Sequence, residues 1–291
     1  MQRLLVLALI GFVAQLIDGS LGMAYGVTST SLLLVFGIAP AVASASVHMA
    51  EVVTTAASGI SHWKFNNVDR TMVKRLMVPG SIGAFLGACF LSSLPGEIVK
   101  PYIASFLFLL GFYVLFRFLY SRPGKGSTQE GPPGKWTIPL GLFAGFADST
   151  GGGGWGPLTT PILLSRKGME ARKVIGSVDT SEFAIAVSAT LGFLISLGWQ
   201  ELNWTWVGVL MLGGIVAAPI AAWFVRIIPS YILGVLVGGL ILITNAKTLL
   251  LCIPAIPVEW HIGVYGLLSL LWITCLVGAI LRQRREKRKG A

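Results

Sequence analysis

Read for hydrophobic and polar positions alone, the chain alternates long apolar blocks with short polar connections. The blocks of the first part are 4–37, 41–60, 72–94 and 98–120. Those of the second are 137–165, 171–197, 203–226 and 230–251, followed by a lone 259–281. A helix needs roughly 20 apolar residues to cross a hydrocarbon core, and most blocks meet that length. Two do not fit a simple crossing. Block 137–165 would form a helix of about 43 Å, long for one passage and short for two. Its middle carries "FADSTGGGGWGP" (146–157), an aspartate, two hydroxyls and four consecutive glycines. Each glycine weakens a helix by roughly 1 kcal/mol relative to alanine, so the pattern predicts two half-helices joined at a broken tip. Block 4–37, with "LIDGSLGMAYG" (16–26) inside it, predicts the same.

Composition places these helices in a bilayer. Only 12% of the 291 residues are charged and 54% are hydrophobic, against about 25% charged in a soluble domain. The net charge of +10 does not point to nucleic acid, because 18 of the 22 Lys and Arg lie in four segments: 61–75, 117–135, 166–173 and 282–289. Basic connections face the cytoplasm. The connections around Glu97, Glu201 and Glu259 carry little positive charge and belong outside. Block 137–165 then begins and ends inside, as a re-entrant hairpin, whereas block 4–37 begins and ends outside. Making each hairpin arm a short full crossing gives a rival topology. The basic tail fits the cytoplasmic side by topology and also suits an anionic lipid surface.

The two parts repeat each other at a period near 130 residues. Asp18 falls on Asp148, Gly22 on Gly152, Tyr25 on Trp155 and Thr30 on Thr160. Further on, "SASVHMAE" (44–51) lies over "IGSVDTSE" (175–182), which puts Glu51 on Glu182 and His48 on Asp179. Gly80 falls on Gly213. The expected fold is thus an all-α polytopic membrane protein with an inverted-topology repeat. Each half has one broken hairpin and three spanning helices, and one further span follows. The boundaries read 1–120 for the first repeat, 121–136 for a cytoplasmic linker and 137–251 for the second repeat, then 252–281 for the extra span and 282–291 for the tail. Because residues 16–34 belong to the repeat, removal of the N-terminus as a signal peptide is not expected.

Two broken tips entering from opposite faces meet near the midplane, where irregular backbone is tolerated only inside protein or beside water. Uncovered amides at half-helix N-termini favour an anion. The candidate substrate-binding residues are Asp18, Gly19, Ser20, Gly22 and Thr28 in the first tip. In the second they are Asp148, Ser149, Thr150, Gly151, Gly152, Gly153 and Gly154. A glycine-rich packing turn is the alternative reading of the same residues. His48 and Glu51 share one helical face with Ser44 and Thr55, and Asp179 and Glu182 repeat the spacing. Intramembrane ionisable groups are functional candidates and often relay protons, so these four are the candidate proton-coupling residues. For Asp18 and Asp148 a second role is open, that of accepting hydrogen bonds from the broken helices' free amides. Cys89, Cys252 and Cys275 have no metal-like spacing, and no metal or cofactor site is expected.

At "GFVAQLIDGSLGMAYG" and "GLFAGFADSTGGGGWGP" the chain resembles the TauE/SafE sulfite-exporter family of bacterial membrane proteins. The resemblance implies a duplicated transporter of sulfur-containing or small organic anions, including sulfite, sulfonates and sulfoacetate. It also implies a bacterial inner membrane, with the C-terminus cytoplasmic and the N-terminus outside by the charge rule. The first tip has fewer glycines than the family motif, so the two tips need not contribute equally. The expected partners are a small anion, protons and the bilayer, with a homodimer left open. A channel or cation carrier using the same carboxylates is a second reading. An intramembrane enzyme with Ser149 as nucleophile is a third, lacking any nucleophile-elbow pattern. The topology predicts that single cysteines replacing Glu97 or Glu201 react with an impermeant thiol reagent added outside. Cysteines replacing Lys64 or Lys173 should react only after the membrane is opened.

Overall fold

The computed structural model describes residues 2–21, 23–64, 66–120, 134–164, 171–202, 204–224, 230–253 and 257–289. Among them the chain forms eleven α-helices and no strand. The first expected hairpin is α1 (Gln2–Leu21) and α2 (Tyr25–Val35); the second is α6 (Thr137–Gly151) and α7 (Trp155–Leu164). The remaining first-half helices are α3 (Pro40–Lys64), α4 (Arg70–Ser92) and α5 (Gly96–Tyr120). Their counterparts are α8 (Ala171–Leu197), α9 (Trp204–Phe224) and α10 (Ser230–Cys252), followed by α11 (Val258–Lys289). Helix α11 continues through the tail expected to end the span at 281, because Arg, Lys, Gln and Glu are all good helix formers. The expected linker lies outside the described residues except for 134–136.

Five helices are long and apolar enough to cross a membrane among the described residues: α4, α5, α10, α11 and the stretch Lys173–Leu197 of α8. Helix α3 has the length but not the apolarity, because Ser44, His48, Glu51, Thr54 and Thr55 interrupt it. All five are buried. The molecule is polar inside and apolar outside. Asp18, Glu51, Asp148, Asp179 and Glu182 are each at most 8% exposed, while Leu109 is 67% exposed and Ile262 76%. Such a surface suits lipid rather than water.

Small residues bring the helices together, as expected where lipid removes the hydrophobic drive between them. Helices α4 and α6 run side by side in the same direction. Gly141 lies against the carbonyl of Leu76, Gly145 against that of Gly80, and Gly87 against that of Phe146. Helix α1 packs on α9 in the same manner, with Gly11 on the carbonyl of Leu210. The recurrence corrects one pairing. Gly80 faces the Trp155 ring and Ile185, and Gly214 faces the Tyr25 hydroxyl and Thr54. Gly80 therefore corresponds to Gly214, not Gly213. In a glycine doublet, identity alone does not say which Cα faces the neighbouring helix.

Helices α3 and α8 cross antiparallel at the centre. Gly59 meets the Thr180 Cα at one end, and the His48 ring lies 6.0 Å from that of Phe193 at the other. Replacing Gly145 by Val puts a side chain onto the carbonyl of Gly80, which has nowhere to move. The expected loss is about 1–3 kcal/mol, seen as a lower unfolding midpoint in detergent. Gly208→Ala, where nothing lies within 4 Å of the new Cβ, should leave the midpoint unchanged.

Candidate functional site

The two helix breaks touch. Gly26, at the start of α2, approaches the Gly153 Cα and the Gly152 carbonyl so closely that a methyl group on either side would not fit. Thr30 donates its hydroxyl hydrogen bond to the Gly152 carbonyl, fastening α2 to the second break. Gly152 has φ +68° and Gly153 φ +153°, conformations that favour glycine. On the first side, the left-handed position is Ala24, with φ +100°. Asn245 of α10 steadies α2 by donating to the Ser31 hydroxyl at 2.7 Å.

Each break is held by its own aspartate. Asp148 Oδ1 accepts from the Gly154 amide at 2.7 Å and the Trp155 amide at 2.9 Å. Its backbone carbonyl accepts from the Gly153 amide at 2.9 Å. Asp18 Oδ1 accepts from the Tyr25 amide at 3.2 Å. These carboxyls stand three residues before the end of one half-helix and satisfy the start of the next, groups that otherwise lack partners. The expectation of uncovered amides is therefore corrected: those of Tyr25, Gly154 and Trp155 are occupied by the protein's own carboxylates.

The other oxygen of Asp148 faces His48, with Nε2 to Oδ2 at 3.1 Å. His48 Nδ1 lies 2.8 Å from the Ser44 carbonyl, which can only accept, so Nδ1 carries a hydrogen. One further proton is then shared along the Nε2–Oδ2 line. Glu51 Oε2 stands 4.0 Å from the same Nε2. Ser44 ties the arrangement together by donating its hydroxyl to the Ser149 carbonyl at 2.7 Å. On the opposite side of the α3–α8 crossing, Asp179 has Ser58 beside it and lies 3.7 Å from His62 Nε2. Glu182 is within electrostatic reach of Asp18, Glu51, Asp148 and Asp179.

Several buried polar atoms around the breaks have no hydrogen-bond partner among the described residues. They include the hydroxyls of Tyr25, Thr28, Ser29, Ser149 and Thr160, and Glu51 Oε1. Buried polar groups are rarely left unpaired. Such a concentration marks a place where water or a polar ligand belongs. No three His, Cys, Asp or Glu side chains are grouped as metal ligands among the described residues.

Other expected residues fall elsewhere. Thr150 bonds back to the Phe146 carbonyl at 2.7 Å and lines a separate apolar cavity of about 430 Å³ with Phe90, Tyr102 and Phe106. Gly151 lies against the Phe106 ring. Both face α5 rather than the touching tips. The side chain of Ser20 and the whole of Gly22 lie outside the described residues, and of Gly19 only its place in α1 is described. Sequence reasoning missed Ser58 and His62. The stripe His48, Glu51, Thr55, Ser58, His62 has the three- and four-residue steps of one helical face, and following it to the end of α3 finds both.

A broken-helix pair in each half is wrapped around buried acids within a lipid-facing helical shell, a setting that suits a membrane transport protein. The comparisons agree: the family model for the sulfite exporter TauE/SafE matches residues 7–248, and the chain belongs to that family. It is 62% identical over 284 residues to the "Probable membrane transporter protein YtnM" of Bacillus subtilis (strain 168), covering 95% of this chain and 92% of that one. It is 25% identical over 237 residues to "Probable membrane transporter protein YdhB" of the same organism, covering 80% and 93%. No solved structure matches the chain.

The capping geometry separates two roles of Asp148. Asp148→Ala leaves the Gly154 and Trp155 amides buried without an acceptor, at about 1–3 kcal/mol each. Asp148→Asn keeps an acceptor oxygen. The alanine variant should therefore unfold at clearly lower temperature than the asparagine variant, which should stay near the parent in a detergent melting experiment.

Proposed function

We propose that this membrane transporter carries small sulfur-containing anions, such as sulfite or sulfonates including sulfoacetate, and acts as an exporter. Transport is linked to protons and proceeds by alternating access between two oppositely inserted halves. The family description supports the substrate class. The observation that carries the mechanism is the set of unpaired buried hydroxyls gathered around two touching helix breaks, each already capped by a carboxylate.

An anion entering this centre meets five acids and competes with Asp148 for the amides of Gly154 and Trp155. A proton on Asp148 removes the competing charge and loosens its hold on both amides. The anion then takes those amides and the hydroxyls of Ser149, Thr28 and Ser29, so binding and protonation occur together. His48 is placed to supply or withdraw that proton through Nε2, with Glu51 and Glu182 as neighbouring stores. In transporters built from inverted repeats one packed bundle moves against another, and α1 with α9 and α6 with α4, packed backbone to backbone across the halves, would each move as a unit.

Purified protein in liposomes tests this reading. Sulfite or sulfoacetate flux should saturate with concentration and respond to an imposed pH gradient. Glu51→Gln and Glu182→Gln should reduce that response by on the order of tenfold while leaving the fold intact. Flux indifferent to pH overturns the proton link, and non-saturating flux points instead to a channel.

A further inference from the structure

The α3–α8 crossing sets matching positions of the two halves against each other, and the two polar stripes differ along the route out of the centre. On α3 the polar stripe runs His48, Glu51, Thr55, Ser58, His62, buried as far as Thr55 and half-buried beyond it, reaching the end of the helix over about 21 Å. On α8 the corresponding stripe starts with Asp179 and Glu182 and then reads Ala186, Ala189, Phe193. Each half thus sets one ring against the other half's buried polar group. Phe193, fully buried, faces His48. His62, whose side chain is 25% exposed, faces Asp179. One end of the crossing finishes in a hydrocarbon ring sealed from water. The other finishes in a partly exposed imidazole beside a buried carboxyl.

We propose that His62 is the port through which protons pass between solution and the central carboxylates, and that Phe193 keeps the opposite end of the crossing closed to them. This rests on the proton-linked reading above. The port opens at the end of the molecule bearing the basic connection, where Lys173 bonds Asn66 Oδ1 and the Val68 carbonyl and Arg70 stacks on Trp63. The other titratable neighbours are accounted for. Asp69 caps α4 through the amides of Thr71 and Met72, and Lys64 lies exposed on the last turn of α3 itself. Asp18, behind Asp179, is bound to the Tyr25 amide. Asp179 is thus the acid placed to exchange with the ring.

In each passage the imidazolium Nε2–H gives its proton to Asp179 Oδ2 and is left neutral. The ring then regains a proton from solution, while Asp179 passes its own to a neighbouring carboxylate. The 3.7 Å separation exceeds a hydrogen bond, so a small ring rotation or one bridging water completes the contact. A histidine suits the task because its unperturbed titration lies nearest neutral pH.

The test uses the full chain in liposomes loaded with a pH-sensitive dye, with sulfoacetate as probe. Proton-linked sulfoacetate flux should fall by on the order of tenfold or more in His62→Gln. Exchange of sulfoacetate for sulfoacetate at equal pH, which moves no net proton, should persist. Added imidazole should restore linked flux in His62→Gly, and Phe193→Ser should admit a proton leak without substrate. Linked flux of parental rate and pH profile in His62→Gln overturns the port while leaving the proposed transport intact. Joint loss of flux and exchange, with no recovery by imidazole, assigns His62 a structural role and also overturns it. Absence of proton movement in the parent protein overturns both the port and the reading beneath it.

Discussion

A helix broken inside a low-dielectric shell exposes amides that neither lipid nor a neighbouring helix can satisfy, and this protein does it twice, side by side. The rest of the structure follows from how those amides are held. Asp148 reaches forward over its own break to take the amides of Gly154 and Trp155, and Asp18 does the same for Tyr25. Each solution places a carboxyl deep within the membrane fold. A buried carboxyl needs further partners in turn, and these come from α3 and α8, the two helices that cross behind the breaks. His48, Ser44, Glu51 and Glu182 gather there because the broken backbone made the place polar.

The same constraint sets the packing around the centre. For two breaks to touch, the chain on both sides must lack bulk, and Gly26 meets Gly152 and Gly153 with no room for a methyl group. The helices that carry the breaks must also sit close to their supports. Helix α6 does so on α4 through Gly80, Gly83, Gly141 and Gly145, and α1 does so on α9 through Gly11 and Gly213. Glycine, which weakens an isolated helix, here permits backbone contact that holds helices together in the absence of a hydrophobic drive. The stabilising surface is backbone against backbone, so it leaves little slack for substitution.

The two halves of the chain resemble each other in sequence, and the differences between them set the contacts at the centre. His48 pairs with Asp148, whereas the matching position in the other half is an acid, Asp179. At the far ends of the crossing, His62 and Phe193 occupy matching places with opposite properties. Four glycines form one break, whereas the other uses Ala24 at a positive φ, a conformation costing about 1–3 kcal/mol outside glycine. A symmetric site would treat both faces of the membrane alike. In the proposed reading these substitutions give the two ends of the crossing different access to the same carboxylates.

Much of this was legible along the chain because helix formation and bilayer partition are local. The blocks 72–94, 98–120, 171–197 and 230–251 became α4, α5, α8 and α10 within two residues at either end. The breaks near Asp18 and Asp148 were marked by glycine and charge where a helix in lipid tolerates neither. Family membership was legible in those same two motifs. The partners of the polar groups were a different matter, because one residue of helical register turns a side chain by about 100°. Only the tertiary structure decided that the aspartates cap their own breaks and that His48 meets Asp148 from 100 positions away. It also turned Thr150 and Gly151 toward α5 and set His62 against Asp179. Those contacts depend on the angles and rotations at which α3, α6 and α8 pack, which no single helix contains.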